Sequence, residues 1–219
     1  MSHAPTSFSL QWAAACLAAA VASQSSAAPT TAPAPPPSAD VQNLARWARS
    51  SGDTQGLSFG ILDKRRAALY VYASDGRPRG ATPVLLGAAR GDHNVPGIGD
   101  RPIAQIRPEE RTTPAGRFVV EPGRNHKGED IYWLDYDAAV SIHRVRAHDP
   151  RERRLQRLAT PTPSDNRISY GCVNLPAAFY DQALRPLFRS RAIVYVLPET
   201  RPTHEFFRLP TATTVRSGS

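Results

Sequence analysis

LSFGILD, residues 57–63, and AALYVYA, residues 67–73, stand on either side of Lys64-Arg65-Arg66. Both runs are apolar, rich in aromatic and β-branched side chains, and too short for an ordinary helix. Ser74-Asp75-Gly76 closes the second with a turn signal. They read as two consecutive strands. Towards the C-terminus, ATPVLLGAA (81–89), GRFVVE (116–121), DIYWLD (130–135) and AVSIHR (139–144) read as further strands, and AIVYVLP (192–198) as a buried closing strand. Towards the N-terminus, Val41, Leu44, Ala45 and Ala48 lie at helical spacing, with Asp40 placed to cap the first turn and Ser51-Gly52 to end it. Residues 176–188, PAAFYDQALRPLF, read as a second helix that begins at Pro176 and is interrupted near Pro186. The chain is thus expected to be mainly β with two short helices, in one domain over residues 40–200, followed by a loose polar tail at 201–219.

Residues 90–111 form a long polar stretch broken by Gly91, Pro96, Gly97, Gly99, Pro102 and Pro108. Loops of that length inside a compact domain usually serve function. Ahead of the body, the first 39 residues contain no Asp, Glu, Lys or Arg, so the formal net charge of +8 belongs entirely to residues 40–219. Within that head, Trp12 to Ala22 is an eleven-residue apolar run, well short of the about 20 needed to span a bilayer. Small-residue cleavage sites come after it, so residues 1–27 read as a secretory signal that lacks the usual basic start. Residues 28–39, APTTAPAPPPSA, read as an extended Pro/Ala-rich linker. The chain is expected to be exported to the periplasm or cell envelope, with no integral span after cleavage. Ala13 three residues before Cys16, and the short chain ahead of it, argue against a lipid-anchored cysteine without deciding the matter.

Once residues 1–27 are removed, Cys172 is the only cysteine left. Exported proteins usually pair their cysteines. A single one is either inert and buried or a reactive thiol. Its surroundings favour the second: Ile168-Ser169-Tyr170-Gly171-Cys172-Val173-Asn174-Leu175-Pro176 passes through a glycine to the thiol and leads towards a helix start. Glycine permits a tight turn. Backbone N–H groups of Tyr170, Gly171 and Cys172 are then placed to hold a developing oxyanion, and the helix dipole to favour thiolate. A thiol nucleophile needs a base. Of the histidines in the body, His93, His126, His148 and His204 lie in polar or Pro-flanked stretches. His143 instead ends an alternating strand and shares a face with Ala139 and Ser141. No HxxxH, HExxH or paired-cysteine spacing suggests a metal, no motif calls for a cofactor, and no basic-aromatic block suggests nucleic acid. The excess of basic over acidic residues is almost all arginine, with Lys64 and Lys127 the only lysines.

Ser169-x-Gly171-Cys172-Val173-Asn174, preceded by Ile142-His143, resembles the active-site signature of the L,D-transpeptidase (YkuD-like) catalytic domain. Thr113-Pro114-Ala115-Gly116-Arg117-Phe118 is similar to that family's Thr-Pro-x-Gly-x-Phe element, Phe59 to Tyr72 to its opening hairpin, and Leu85 to Asp92 to the strand and turn between them. The resemblance spans residues 57–198. It implies a β-sandwich of mixed sheets and a cysteine acyltransferase acting on peptidoglycan stem peptides. In that family's chemistry Cys172 is the nucleophile that forms a thioester and releases a terminal D-amino acid. His143 is the general acid/base, oriented by a backbone carbonyl, while Ser169 and Asn174 support the turn.

Two departures stand out. Tyr170 occupies the place of the family's second histidine, and 28 residues separate His143 from Cys172, longer than the family interval. The excess, residues 146–166, is Arg- and Pro-rich and reads equally as a substrate-facing lid or a surface excursion. A wall L,D-carboxypeptidase with the same Cys-His site and a non-catalytic peptidoglycan-binding module are the alternatives.

Overall fold

A computed structural model describes Met1 and residues 31–210. The signal-sequence reading of residues 1–27 lies outside them, Met1 apart. Ten strands run in chain order: β1 (Phe59–Asp63), β2 (Ala68–Tyr72), β3 (Pro78–Pro83), β4 (Leu86–Gly87), β5 (Gly116–Arg124), β6 (Asp130–Asp135), β7 (Val140–Arg144), β8 (Arg167–Ser169), β9 (Val173–Leu175) and β10 (Ala192–Val196). The fold is mainly β, with a large mixed sheet and a few short helices. The first two strands pair antiparallel, Gly60 opposite Val71 and Leu62 opposite Leu69. Both are buried along their whole length, which is why their sequences are continuously apolar instead of alternating.

Eight strands join in the order β3-β2-β1-β10-β5-β6-β7-β9, and β4 pairs separately with β8. β5 belongs to both halves: Gly116–Val120 pair with β10, and Glu121–Arg124 pair with β6. One strand switching layers is how two packed sheets share a corner. The space between the halves holds Leu69, Val71, Val194 and Val196 from one side and Val140, Ile142, Val173 and Leu175 from the other. Burial of each such side chain is worth about 1.5–3 kcal/mol. Helical residues 177–188 close this core with Tyr180, Leu184 and Phe188. Their middle, Tyr180–Leu184, widens into a π turn immediately before Pro186, which has no N–H to continue an α ladder.

A second core lies on the outer face of β1, β2 and β10, where α1 (Ala39–Ser51) lays Val41, Leu44 and Ala48 against Phe59, Ile61 and Tyr195. The N-cap of α1 is Ser38, whose Oγ accepts from Val41 N at 3.3 Å. Asp40, the residue expected there, sits in the first turn and accepts from Thr203 Oγ1 at 2.7 Å. Gly52, at φ 75°, ends the helix as expected.

Three other expectations are corrected. The third strand stops at Pro83, and Leu86–Gly87 leave it to pair with Arg167–Ser169. The proline-rich stretch from residue 31 is a strap docked on the body. Tyr70 donates its hydroxyl to Pro35 O at 3.0 Å, Arg66 Nη1 donates to Pro36 O at 2.8 Å, and Ala32 N donates to Leu158 O at 3.1 Å. Proline carbonyls remain acceptors although the ring nitrogen donates nothing. The polar tail is folded at least to Leu209, since Phe207 and Leu209 pack against the second core. Among the described residues, no helix is long and apolar enough to cross a membrane.

Candidate active site

The turn that carries Cys172 joins β8 to β9. Gly171 has φ +128°, and a Cβ there would meet Thr112 O at 2.7 Å and Val140 Cγ2 at 3.3 Å. Neither the backbone angle nor the space admits a side chain. Ser169 ties the turn: its hydroxyl donates to Cys172 O at 2.7 Å and accepts from Gly171 N at 3.1 Å. That second bond occupies one of the three N–H groups expected to form an oxyanion hole. Gly171 is therefore a turn residue, and the N–H groups of Tyr170 and Cys172, which donate to no acceptor among the described residues, are the remaining pair.

Cys172 carries a free, part-exposed thiol. Its sulfur lies 3.4 Å from Ser141 N and 3.6 Å from Ser141 Oγ, and 3.7 Å from Ala139 O. The expected helix dipole does not reach it. Val173–Leu175 run as a strand beside β7, burying Val173 and Leu175, and the helix begins only at Ala177. At about 3.3 Å per residue, the helix start is displaced from the sulfur by more than 10 Å of chain.

β7 and β9 are parallel neighbours, with Ile142 opposite Val173 and His143 opposite Asn174. Side chains two apart on a strand share a face. Ser141, His143, Cys172 and Asn174 accordingly stand together on one face, while Val140 and Ile142 point into the core. His143 and Cys172 are diagonal neighbours, a relation that sets backbones about 7–8 Å apart. The structure brings the pair to one face without joining them. No hydrogen bond links ring to sulfur among the described residues: Nδ1 lies 2.7 Å from Arg144 O, and Nε2 lies 3.2 Å from Asn174 Nδ2. Asn174 is fully buried and also donates to Cys172 O at 3.3 Å. A cavity of about 390 Å³ is walled by His143 with Gly128, Glu129, Asp130 and residues 144–148; Cys172 is not part of its lining.

Burial pushes the imidazole of His143 down to about 4, against the pull of Arg144 O. The charges of Arg146 and Arg154 add to the depression, and Glu129 opposes it. The ring is thus neutral at physiological pH, as a proton acceptor must be. Following the His143 ring resonances by NMR is expected to give a midpoint near 4 in place of the usual value of about 6.5. Between those two values the unfolded chain binds the proton and the fold does not. This group's contribution to stability is therefore complete above the unfolded value and declines as pH falls towards the folded one.

Beneath the turn lies a charged cluster that the sequence did not advertise. Lys64, with a side chain wholly out of solvent, bonds Asp92 Oδ1 at 2.8 Å, Gly91 O at 2.5 Å and Thr113 O at 2.9 Å, and lies 3.8 Å from Glu199. Arg167 pairs with Glu199 at 2.6 Å. Burial lowers the Lys64 pKa, and its bond to Asp92 together with the charges of Asp92 and Glu199 resists that. Burial works to raise Asp92, yet Lys64, Thr200 and two backbone N–H groups together hold it well below the usual carboxylate range. Thr113 carries this support to the Cys172 turn, donating its hydroxyl to Gly171 O at 2.8 Å. The Thr113–Phe118 element was visible in the sequence, but Lys64 read only as part of a polar turn. The one available signal was a lysine in a chain that otherwise uses arginine. On the outer side, Arg111 stacks over the ring of Tyr170 at 4.0 Å, tying the long 90–111 loop to the turn.

No protein-family model matches the chain, and no curated protein matches it. Solved structures similar to it include the catalytic domain of an L,D-transpeptidase from E. faecium (18% identity, 64% of this chain and 96% of that one, TM-score 0.38). Others are the helical cell shape determining protein Pgp2 from Campylobacter jejuni (17%, 66% and 49%, 0.41) and an L,D-transpeptidase (Yku) from Stackebrandtia nassauensis (19%, 75% and 66%, 0.40). The chain therefore matches nearly all of the first but about half of the second.

Proposed function

We propose that this chain is an exported cysteine acyltransferase of peptidoglycan stem peptides, an L,D-transpeptidase in reaction type. The observation that carries the reading is the common face shared by a free thiol on a glycine turn and a neutral imidazole. The motif resemblance around Cys172, His143 and Thr113 supplies the substrate class.

In this reading Cys172 Sγ attacks the carbonyl carbon that precedes a terminal D-amino acid, and the thiol proton passes to His143 Nε2. That requires the ring to leave Asn174 and turn along the shared face, a movement between neighbouring positions. Negative charge gathers on the carbonyl oxygen, where the N–H groups of Tyr170 and Cys172 are the available donors; each such donor is worth about 3–4 kcal/mol. The C–N bond then breaks, His143 returns the proton to the leaving amine, and a thioester remains. An amine from a second stem resolves it into a cross-link and regenerates the thiol.

Incubation with purified tetrapeptide muropeptides tests this. Release of the terminal D-amino acid with cross-linked dimers is the expected outcome. Trimmed stems alone would make the enzyme a carboxypeptidase. No release at all would overturn the acyltransferase reading and leave a binding module.

A further inference from the structure

Residues 146–166, open in the sequence between a lid and a surface excursion, reach the site through Arg146 to His148, which line the cavity beside His143, and through Arg154, which bonds Asn174. Their helix α2 (Arg154–Ala159) is anchored by buried Leu158 and by the bond from Ala32 N in the strap. Its first residue, Arg154, pairs with Glu152 through Nε at 2.6 Å and donates through Nη1 to Asn174 Oδ1 at 2.5 Å. A guanidinium only donates, so the oxygen of the Asn174 amide has to face it. The amide nitrogen then faces His143, and since an NH₂ group also only donates, Nε2 of the ring has to be the bare acceptor. The single ring proton is left on Nδ1, where Arg144 O receives it. Each group fixes the next: Arg154 the amide, the amide the ring.

We propose that Arg154, supplied by the 146–166 excursion, is a positioning residue that acts through Asn174 to hold His143 in the tautomer whose Nε2 accepts the thiol proton. Arg154 touches neither sulfur nor imidazole. The inference deepens the acyltransferase reading and rests on it for its effect on rate. Arg144 O favours the same tautomer independently, so Arg154 is the second of two locks. Other charged or titratable groups facing the ring are Glu129, Asp130, Arg144, Arg146 and His148, which line the cavity beside it, and Cys172 on the turn.

The test uses the full chain and two readouts, ring NMR of His143 and D-amino acid release from tetrapeptide muropeptides. Wild type is expected to show Nδ1 protonated and Nε2 bare. Arg154→Met should mix the tautomers, raise the ring's titration midpoint and lower kcat by roughly ten- to hundredfold at unchanged KM, the range for losing an outer group that orients an imidazole. Arg154→Lys, which keeps charge and donor, should restore most of both. If Arg154→Met proves too unstable to assay, Asn174→Asp decides the matter. It sets a carboxylate oxygen against Nε2 and should drive the proton there. A ring unchanged in tautomer and midpoint in either variant would overturn the proposal. Wild type without turnover, but with a ring that responds to these substitutions, would sink the acyltransferase reading alone.

Discussion

Replacing Cys172 with alanine is expected to lower D-amino acid release by about 10⁴- to 10⁶-fold, the scale seen when a covalent nucleophile is removed. No other thiol lies among the described residues to substitute for it. The fold should barely notice, because the polar contacts of the sulfur among the described residues are long, at 3.4, 3.6 and 3.7 Å. Part-exposed sites of that kind cost within about 1 kcal/mol. Single-turnover assays beside a thermal melt separate the two effects. His143→Gln should cost less, about 10²- to 10⁴-fold, since a thiol retains some thiolate at neutral pH without its base. A Cys172→Ala protein that still turned over at a tenth of the wild-type rate would place the chemistry elsewhere.

Lys64→Met is expected to destabilise the fold by about 3–5 kcal/mol, because it leaves the buried Asp92 carboxylate without its counter-charge. That is a large share of the roughly 5–15 kcal/mol typical of a domain, and denaturant unfolding should show it as a lower midpoint at unchanged slope. Asp92 cannot simply be deleted in compensation, because its oxygens also accept the N–H groups of Glu199 and Thr200 at 2.8 and 2.9 Å. Asp92→Asn keeps one oxygen for those donors and removes the uncompensated charge. The Lys64→Met/Asp92→Asn pair should therefore recover part of the loss. Since Thr113 O also loses its donor, the Gly171 turn should loosen, and acylation should slow even where the variant stays folded. A Lys64→Met protein as stable as wild type would mean that the buried ammonium contributes nothing net.

Where the information is local, the sequence is readable. Leu57 to Ala73 and Ala192 to Leu197 carry apolar runs because both faces of their strands are covered, and they are strands. Val140 and Ile142 alternate with Ser141 and His143, and that alternation does send one pair to the core and the other to the site. What escapes depends on partners far along the chain. Three-residue strands on either side of the Cys172 turn exist because β4 and β7 are there to pair with them, and nothing local in residues 167–169 or 173–175 marks them as strands. Ser38 takes the cap of α1, and the Asp40 carboxylate is instead held by Thr203, far along the chain. The Lys64 cluster spans residues 64 to 199, and the Arg154–Asn174 bond crosses from an excursion to the floor of the site. No periodicity encodes such contacts. The strap escapes for another reason: a proline-rich composition rules out regular structure, but leaves the carbonyls free to dock.

Whether Cys172 is an acylating nucleophile decides the function proposed for this protein. Intact-mass spectrometry of the full chain after exposure to a carbapenem, which offers an activated carbonyl to such a thiol, tests that directly. One equivalent of covalent adduct, mapped to the Cys172 peptide and missing from Cys172→Ala, is the predicted result. An unmodified wild-type protein, or an adduct that survives in Cys172→Ala, would contradict it.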